Sequence, residues 1–184
     1  MKRITSITTS IFAFLMLVTI SVTAQEFSEL DKSPMDIASY PTSYKVAKKQ
    51  MKIIYSRPQL KGRTLGKLAP NDKVWRTGAN EAAELVLYSD YNFGGVTLKA
   101  GNYSFYTIPG EKEWTIIINS DLNTWGAYFY NEKNDVARIK VPVTEGKKSL
   151  EAFSIALSDD SKKGITMHLG WDKVRVAVPF TKVN

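Results

Sequence analysis

Apolar and polar side chains alternate with a period of two along most of the chain after residue 50, the spacing of strands with one buried face. Met51, Ile53 and Tyr55, for example, alternate with Lys52 and Ser56. The pattern predicts strands here and at 84–90, 96–98, 103–108, 114–119, 137–143, 153–157, 165–171 and 174–180.

The clearest hairpin in the pattern is centred on Pro109-Gly110, a turn signal between the runs 103–108 and 114–119. The run 114–119 is apolar on nearly both faces, which indicates a central strand. Pro142 indicates that the strand at 137–143 lies at a sheet edge, because proline cannot donate to a ladder.

About nine short strands and no amphipathic helix define the predicted fold class, which is all-β. Because the connections are too short for crossover helices, the strands should pair antiparallel. We therefore predict a two-sheet β-sandwich, with a partly closed β-barrel as the alternative.

The first 24 residues have the features of a cleaved signal peptide. Lys2 and Arg3 precede an apolar run at 11–20, and the small residue Ala24 ends the segment. A membrane span needs about twenty apolar residues, so the ten at 11–20 favour a signal peptide over an anchor. This predicts a periplasmic or secreted protein without a transmembrane segment. Residues 25–44, with Pro34 and Pro41, are predicted to form an extended arm, and residues 45–184 a single β-sandwich domain.

The composition excludes several kinds of chemistry. The chain has no cysteine, so disulfides, thiol catalysis and thiolate metal sites are ruled out. Its one histidine, His168, is too little for a zinc site, and no Gly-x-Ser-x-Gly motif supplies a serine for a triad. Asp121 and Asn123 have the spacing of the start of a calcium loop, but the remaining ligands are missing. We predict no cofactor and no metal. The net charge is +7, but the sequence has no arginine-rich helix, so we predict no nucleic-acid partner.

Two connections do not follow the strand rhythm, and compact domains rarely spend so much chain on a loop without a use for it. One covers residues 57–81 and is rich in basic residues and glycine. The other covers residues 119–135 and places Trp125 and Tyr128 among amides and carboxylates. If they meet, they form a polar site with aromatic walls.

The predicted ligand-binding residues come from these two loops. Planar guanidinium groups suit anionic ligands, and aromatic faces beside amides suit sugars. We predict that arginines engage the ligand, that Asn80 and Glu81 orient it, and that two aromatic rings form a wall; the set is Arg57, Arg63, Arg76, Asn80, Glu81, Trp125 and Tyr128. Competing structural roles are core packing for Trp75 and Trp125, and a mutual ion pair for Arg76 and Glu81.

Three functions fit these residues. The first is a non-enzymatic binding module for a polar or anionic small molecule or glycan. The second is a hydrolase with Glu81 as acid or base and Asp121 or Asp135 as the second carboxylate. The third is a structural protein of the cell envelope whose edge strands pair with a partner chain.

The chain also resembles a secreted bacterial family known as domain of unknown function 2911. The resemblance runs from about Ser33 to Phe180 and implies an all-β envelope protein, with no established activity. Asn71-Asp72 and Ala83 depart from the family pattern, which often has an aromatic-glycine pair and a threonine there. The matching strings are YSRP at 55–58, KGR at 61–63, VWRTGANEA at 74–82, AGNYS at 100–104, IPG at 108–110 with Glu113-Trp114, Trp125-Gly126, and residues 135–138.

Overall fold

The computed structural model describes residues 25–159 and 164–183, so the predicted signal peptide at 1–24 lies outside the described residues. Residues from Asp31 onwards form one compact unit. No helix of the described residues is long and apolar enough to cross a bilayer. The elements are β1 (Met35–Tyr40), β2 (Met51–Ser56), α1 (Leu65–Leu68), β3 (Ala83–Leu87), β4 (Tyr91–Phe93), β5 (Val96–Leu98), β6 (Gly101–Ile108), β7 (Glu113–Asn119), a short 3-10 helix (Glu132–Asn134), β8 (Asp135–Asp159) and β9 (Gly164–Lys182).

All nine strands belong to one antiparallel sheet in the order β1-β2-β3-β6-β7-β8-β9-β4-β5. The predicted all-β antiparallel class is therefore confirmed. The structure does not show the two separate sheets of a sandwich, because β8 pairs with β7 along residues 135–142 and with β9 from Val143 onwards. Nor is the sheet closed in the described residues, since β1 and β5 stand at its opposite ends.

The long strands β8 and β9 explain why the structure has one sheet where two were predicted. Each contains two of the short strands predicted from the alternation, joined through irregular pairing rather than through a turn. The β8–β9 register shifts on both sides of Leu150, and Asp172 has a positive φ of 46° within β9. Pro142 was predicted at a sheet edge and instead pairs with Glu113 at the end of the β7 ladder, where β8 passes from one partner to the next. Such bulges keep a strand continuous while re-aiming it, which a period of two does not reveal.

Two strands were not predicted. Residues 35–40, inside the predicted arm, are extended but pair with β2 as β1. Residues 91–93 form β4, which pairs with β5 and with the end of β9.

The core lies on the inner face of the sheet and is centred on four aromatic side chains. Trp75 stacks on Trp171 with ring centroids 5.6 Å apart, and its edge contacts Trp114 and Phe153 at 6.1 and 5.0 Å. All four are buried. The core packing considered for Trp75 from the sequence is confirmed.

The outer face of the sheet is covered only in part. Residues 120–134 lie over β6 and β7, where the ring of Tyr130 packs on Tyr106 at 5.1 Å and the Tyr106 hydroxyl bonds to Thr124 at 2.6 Å. Over β1, β2 and β3 the outer face keeps partial exposure at Ile54 and Glu84. The boundary between covered and open sheet is the location of the candidate site.

Candidate functional site

The two loops predicted to carry function are joined by backbone hydrogen bonds. Glu81 and Trp125 form an isolated antiparallel bridge. The N–H of Ala82 donates to Thr124 O at 3.0 Å, and the N–H of Gly126 donates to Asn80 O at 2.9 Å. Because directly opposite residues of an antiparallel pair project to the same face, the side chains of Glu81 and Trp125 are neighbours.

The string at residues 74–82 is a shaped turn whose middle is buried. Thr77 has a positive φ of 55° and no exposed surface, and its hydroxyl lies 3.1 Å from Thr107 Oγ1. A Cβ at Gly78 would come within 2.9 Å of Ser56 O, so only glycine allows the turn to lie this close to β2. The turn thus fixes where the chain emerges at Asn80, whose φ is 61°, and at the exposed Glu81.

A groove of about 310 Å³ begins at Glu81, on the outer face of the sheet. Its volume is at the lower end of the range for ligand pockets. Glu81 and Glu84 are its charged residues, and no lysine or arginine lines it within the described residues. The lining consists of Met35, Ile54, Tyr55, Ser56, Glu81, Ala82, Glu84 and Asn123.

Ser56 is an enclosed polar side chain of this groove and is 4% exposed. Its hydroxyl is one of the polar groups of the lining.

Beside the groove, residues 125–129 expose a patch of aromatic surface. Trp125 is 54% exposed, Tyr128 78% and Phe129 74%. The alternative that Trp125 packs on the sheet is thus not what the structure shows. Gly126 has a φ of 65°, and a Cβ there would lie 2.9 Å from the ring of Tyr128, so the glycine lets this ring lie against the backbone. We refer to Trp125, Tyr128 and Phe129 as the aromatic platform.

The base of this loop is held by a polar network around Asp135. Its carboxylate accepts hydrogen bonds from Asn119 at 2.8 Å and Tyr130 at 2.7 Å, and it pairs with Arg138. Burial, followed by the bond to the Asp135 carboxylate, raises the pKa of the Tyr130 phenol well above its ordinary value. The network keeps the phenol protonated and the loop anchored.

The carboxylates proposed as partners of Glu81 therefore have structural partners of their own. Asp121 accepts two hydrogen bonds from the Asn134 amide at 2.8 and 2.9 Å, and Asp135 is bonded as described above. Neither lines the groove. Within the described part of the chain, no three acidic or histidine side chains are grouped to hold a metal ion.

Arg57 lies outside the groove and links strands. Its guanidinium donates to Asp36 Oδ2 at 3.0 Å, to Ser154 Oγ at 2.8 Å and to Phe153 O at 3.0 Å. These bonds fasten β1 and the end of β2 to the second half of β8.

The other two arginines also lie apart from the groove. Arg63 donates to the carbonyls of Leu60 and Gln59 at 2.9 and 2.7 Å and lines a separate cavity with Lys32 and Lys61. The Nε of Arg76 is buried and has no hydrogen-bond partner among the residues that the structure describes. No ion pair joins Arg76 to Glu81 in the described chain, so the mutual pairing considered from the sequence is not found.

The structure thus brings together Asn80, Glu81, Trp125 and Tyr128 of the predicted set, and leaves the three arginines elsewhere. Sequence reasoning missed Ser56, Glu84 and Asn123. Ser56 and Glu84 lie in or beside predicted strands, on the face opposite the core, and only the register of β2 against β3 places them at one groove. His168, the one histidine of the chain, is exposed, and its Nε2 lies 2.8 Å from Ser158 Oγ.

Comparisons with known proteins agree with the resemblance carried by the sequence strings. The family model described as "Protein of unknown function (DUF2911)" matches residues 33–180, which include both loops and every groove residue. The comparisons with curated proteins and with solved structures give no match.

Proposed function

The chain belongs to the DUF2911 family, and we propose that this member is a non-enzymatic binding module for a neutral or amine-bearing sugar. The ligand would lie across the aromatic platform and reach into the groove at Glu81. We further propose that the protein works in the periplasm or outside the cell, where glycans are accessible to it.

The observation that carries the proposal is the bridge between Glu81 and Trp125. It places an exposed indole next to a carboxylate at the mouth of a groove. Sugar rings present C–H groups to aromatic faces and hydroxyl groups to carboxylates, amides and serine, so one ligand can use both surfaces. Glu81, Asn123 and Ser56 supply such polar atoms.

The charge of the groove selects among the ligands considered from the sequence. Glu81 and Glu84 would repel an anionic ligand, and Arg57 donates its hydrogen bonds to groups within the fold. The hydroxyl groups of a neutral sugar can donate hydrogen bonds to the two carboxylates. An amino sugar adds a positive charge, which the carboxylates attract. We therefore propose a neutral or cationic ligand rather than an anion held by the arginines.

Calorimetric titration tests the proposal with three soluble oligosaccharides of different charge. Neutral cello-oligosaccharides and cationic glucosamine oligomers should bind, whereas anionic galacturonate oligomers should not. Trp125→Ala should weaken binding at least about tenfold, the loss of roughly 1.4 kcal/mol. Tyr44→Ala, which removes an exposed aromatic ring outside the loop, is the matched control and should bind as the wild type does. Binding of the galacturonate oligomer alone would refute the charge argument.

A second candidate is a glycoside hydrolase, which needs two carboxylates at one bond. It is favoured by the presence of Glu81 and Glu84 at the same groove, where Glu84 takes the role first considered for Asp121 or Asp135. Reducing-end release from a bound oligosaccharide, lost in both Glu81→Gln and Glu84→Gln, would support it. Unchanged oligosaccharide after prolonged incubation with the wild type would exclude that substrate.

The structural alternative, strand pairing with a partner, is favoured by the edge strand β1. Met35 and Ile37 are exposed on it, although the N–H of Ile37 already donates a hydrogen bond to the Asp36 carboxylate at 2.8 Å. A stable complex with an envelope protein that is lost in Ile37→Lys would support this role. The absence of such a complex, together with sugar binding, would favour the binding module.

A further inference from the structure

Far from the platform in sequence, the connection between β1 and β2 carries a dense positive charge. Lysines occupy positions 45, 48, 49 and 52, and no acidic residue lies between 41 and 56. None of the four forms an ion pair within the described chain. The nearest acid after β3, Asp90, is bonded to Lys99 and to the N–H of Ala100.

This connection has a fixed path. The ammonium group of Lys49 donates to the carbonyls of Pro41 and Ser43 at 2.6 and 2.9 Å, and Gln50 is bonded through its backbone to Tyr40 and Tyr88. Lys49 therefore acts as an internal clamp. The other three lysines stay available for an external partner.

Exposed apolar surface lies among these charges. Tyr44 is 90% exposed, Tyr88 50% and Val46 39%. Lys45 and Lys52 place their ammonium groups 5.9 and 5.6 Å from the ring centroids of Tyr44 and Tyr88. Between them, Lys48, Lys49, Lys52, Tyr88 and neighbouring residues line a cavity of about 390 Å³ that contains no acidic side chain.

We propose that this surface, the lysine patch of Tyr44, Lys45, Val46, Lys48, Lys52 and Tyr88, docks the protein on an anionic lipid membrane. Lysines beside exposed tyrosines match the chemistry of a bilayer interface, where ammonium groups meet lipid phosphates and phenol rings lie at the headgroup level. The cavity at Lys48 and Lys52 would receive a phosphate headgroup. This proposal concerns a second surface and does not depend on sugar binding.

The apolar component decides in favour of a membrane over a soluble anion. A soluble phosphate would use the lysines alone and would leave Tyr44 and Val46 in water. A membrane uses both, because ammonium groups stay at the lipid surface while neighbouring rings enter the interface. Binding should therefore keep a component that high salt does not remove.

Sedimentation with vesicles tests the proposal on the purified protein. Vesicles of phosphatidylcholine with one third phosphatidylglycerol should bind it, and vesicles of phosphatidylcholine alone should not. Because each lysine near an anionic surface contributes roughly a fivefold effect, Lys48→Gln with Lys52→Gln should weaken binding about 25-fold. The charge-matched control, Lys133→Gln with Lys147→Gln, removes two exposed lysines elsewhere and should change binding less than threefold.

Tyr44→Ala and competition with a soluble phosphate complete the test. Tyr44→Ala should weaken the binding that persists at high salt, while leaving the melting temperature unchanged. Equal losses in the two double variants would overturn the proposal, since net charge alone would then explain the binding. Displacement of the protein from vesicles by millimolar glycerol phosphate would also overturn it in favour of a soluble anion.

Discussion

Glu81 and Trp125 pair across an isolated antiparallel bridge, and each comes from a loop that the strand pattern leaves unexplained. The bridge joins the end of the buried turn at 74–82 to the base of the aromatic platform. An exposed carboxylate and an exposed indole are thereby held side by side by backbone hydrogen bonds. This relationship underlies the proposed sugar site.

Gly126→Ala should damage the platform specifically. The new Cβ would lie 2.9 Å from the Tyr128 ring at a φ of 65°, so the ring must move and the backbone is strained. We expect a stability loss of about 1 kcal/mol and weaker sugar binding, measured by thermal unfolding and calorimetry. Gly66→Ala, in α1 with open space around it, is the control and should leave sugar binding unchanged without lowering stability, because alanine favours a helix over glycine. Full sugar affinity in Gly126→Ala would show that Tyr128 has no part in the site.

Trp75 and Trp125 should respond in opposite ways to truncation. Trp75 is 5% exposed and contacts three aromatic rings, so Trp75→Ala should lower the free energy of unfolding by about 3–5 kcal/mol. Trp125 is 54% exposed, and Trp125→Ala should change the free energy of unfolding by less than about 0.5 kcal/mol. Denaturant titration measures both. A large loss in Trp125→Ala would mean that the indole has a packing role.

Arg57→Gln should loosen β1 and leave sugar binding intact. The variant loses the hydrogen bonds to Phe153 O and Ser154, whereas the ion pair with Asp36 adds little because both partners are more than a third exposed. We expect a loss of about 1–2 kcal/mol and faster amide exchange in β1. Asp36→Asn removes only the ion pair with Arg57 and should lower stability less than Arg57→Gln does. A loss of ligand affinity at unchanged stability would instead return Arg57 to the binding site.

Tyr130→Phe loses the hydrogen bonds of the phenol to Asp135 and Arg138 at every pH. Any further effect on stability should appear only at alkaline pH. The raised pKa of the Tyr130 phenol means that the folded state holds this proton after the unfolded state has released it. Its stabilising contribution is thus complete below pH about 10, the ordinary tyrosine value, and is lost as the pH rises further. Melting temperatures across this range should fall less steeply in Tyr130→Phe than in the wild type. Parallel curves would contradict the shift.

Part of this fold could be predicted from the sequence because the core has a simple period. Met51, Ile53 and Tyr55 mark the inner face of β2 directly, and the core packing considered for Trp75 is what the structure shows. The continuity of β8 could not be predicted, since the irregular pairing around Leu150 depends on β9 rather than on local residues.

The candidate site shows the same limit. Glu81 and Trp125 can be picked out from the residues around them. That their two loops meet depends on the register of the sheet, which the sequence does not reveal. The arginines illustrate the converse, because a guanidinium that links strands and one that binds a ligand have the same sequence signal. Only the bonds of Arg57 to Phe153 and Ser154 assign it the linking role.

The proposed sugar site depends most on Trp125 as a ligand contact, and tryptophan fluorescence measures this directly. The chain has four tryptophans, of which Trp75, Trp114 and Trp171 are buried and Trp125 is exposed. Acrylamide should therefore quench mainly Trp125, and Trp125→Phe should remove most of the accessible emission.

A saturating cello-oligosaccharide or glucosamine oligomer should protect this emission from acrylamide in the wild type, and should have no such effect in Trp125→Phe. Quenching that stays unchanged at a ligand concentration at which calorimetry shows binding would contradict the proposed site.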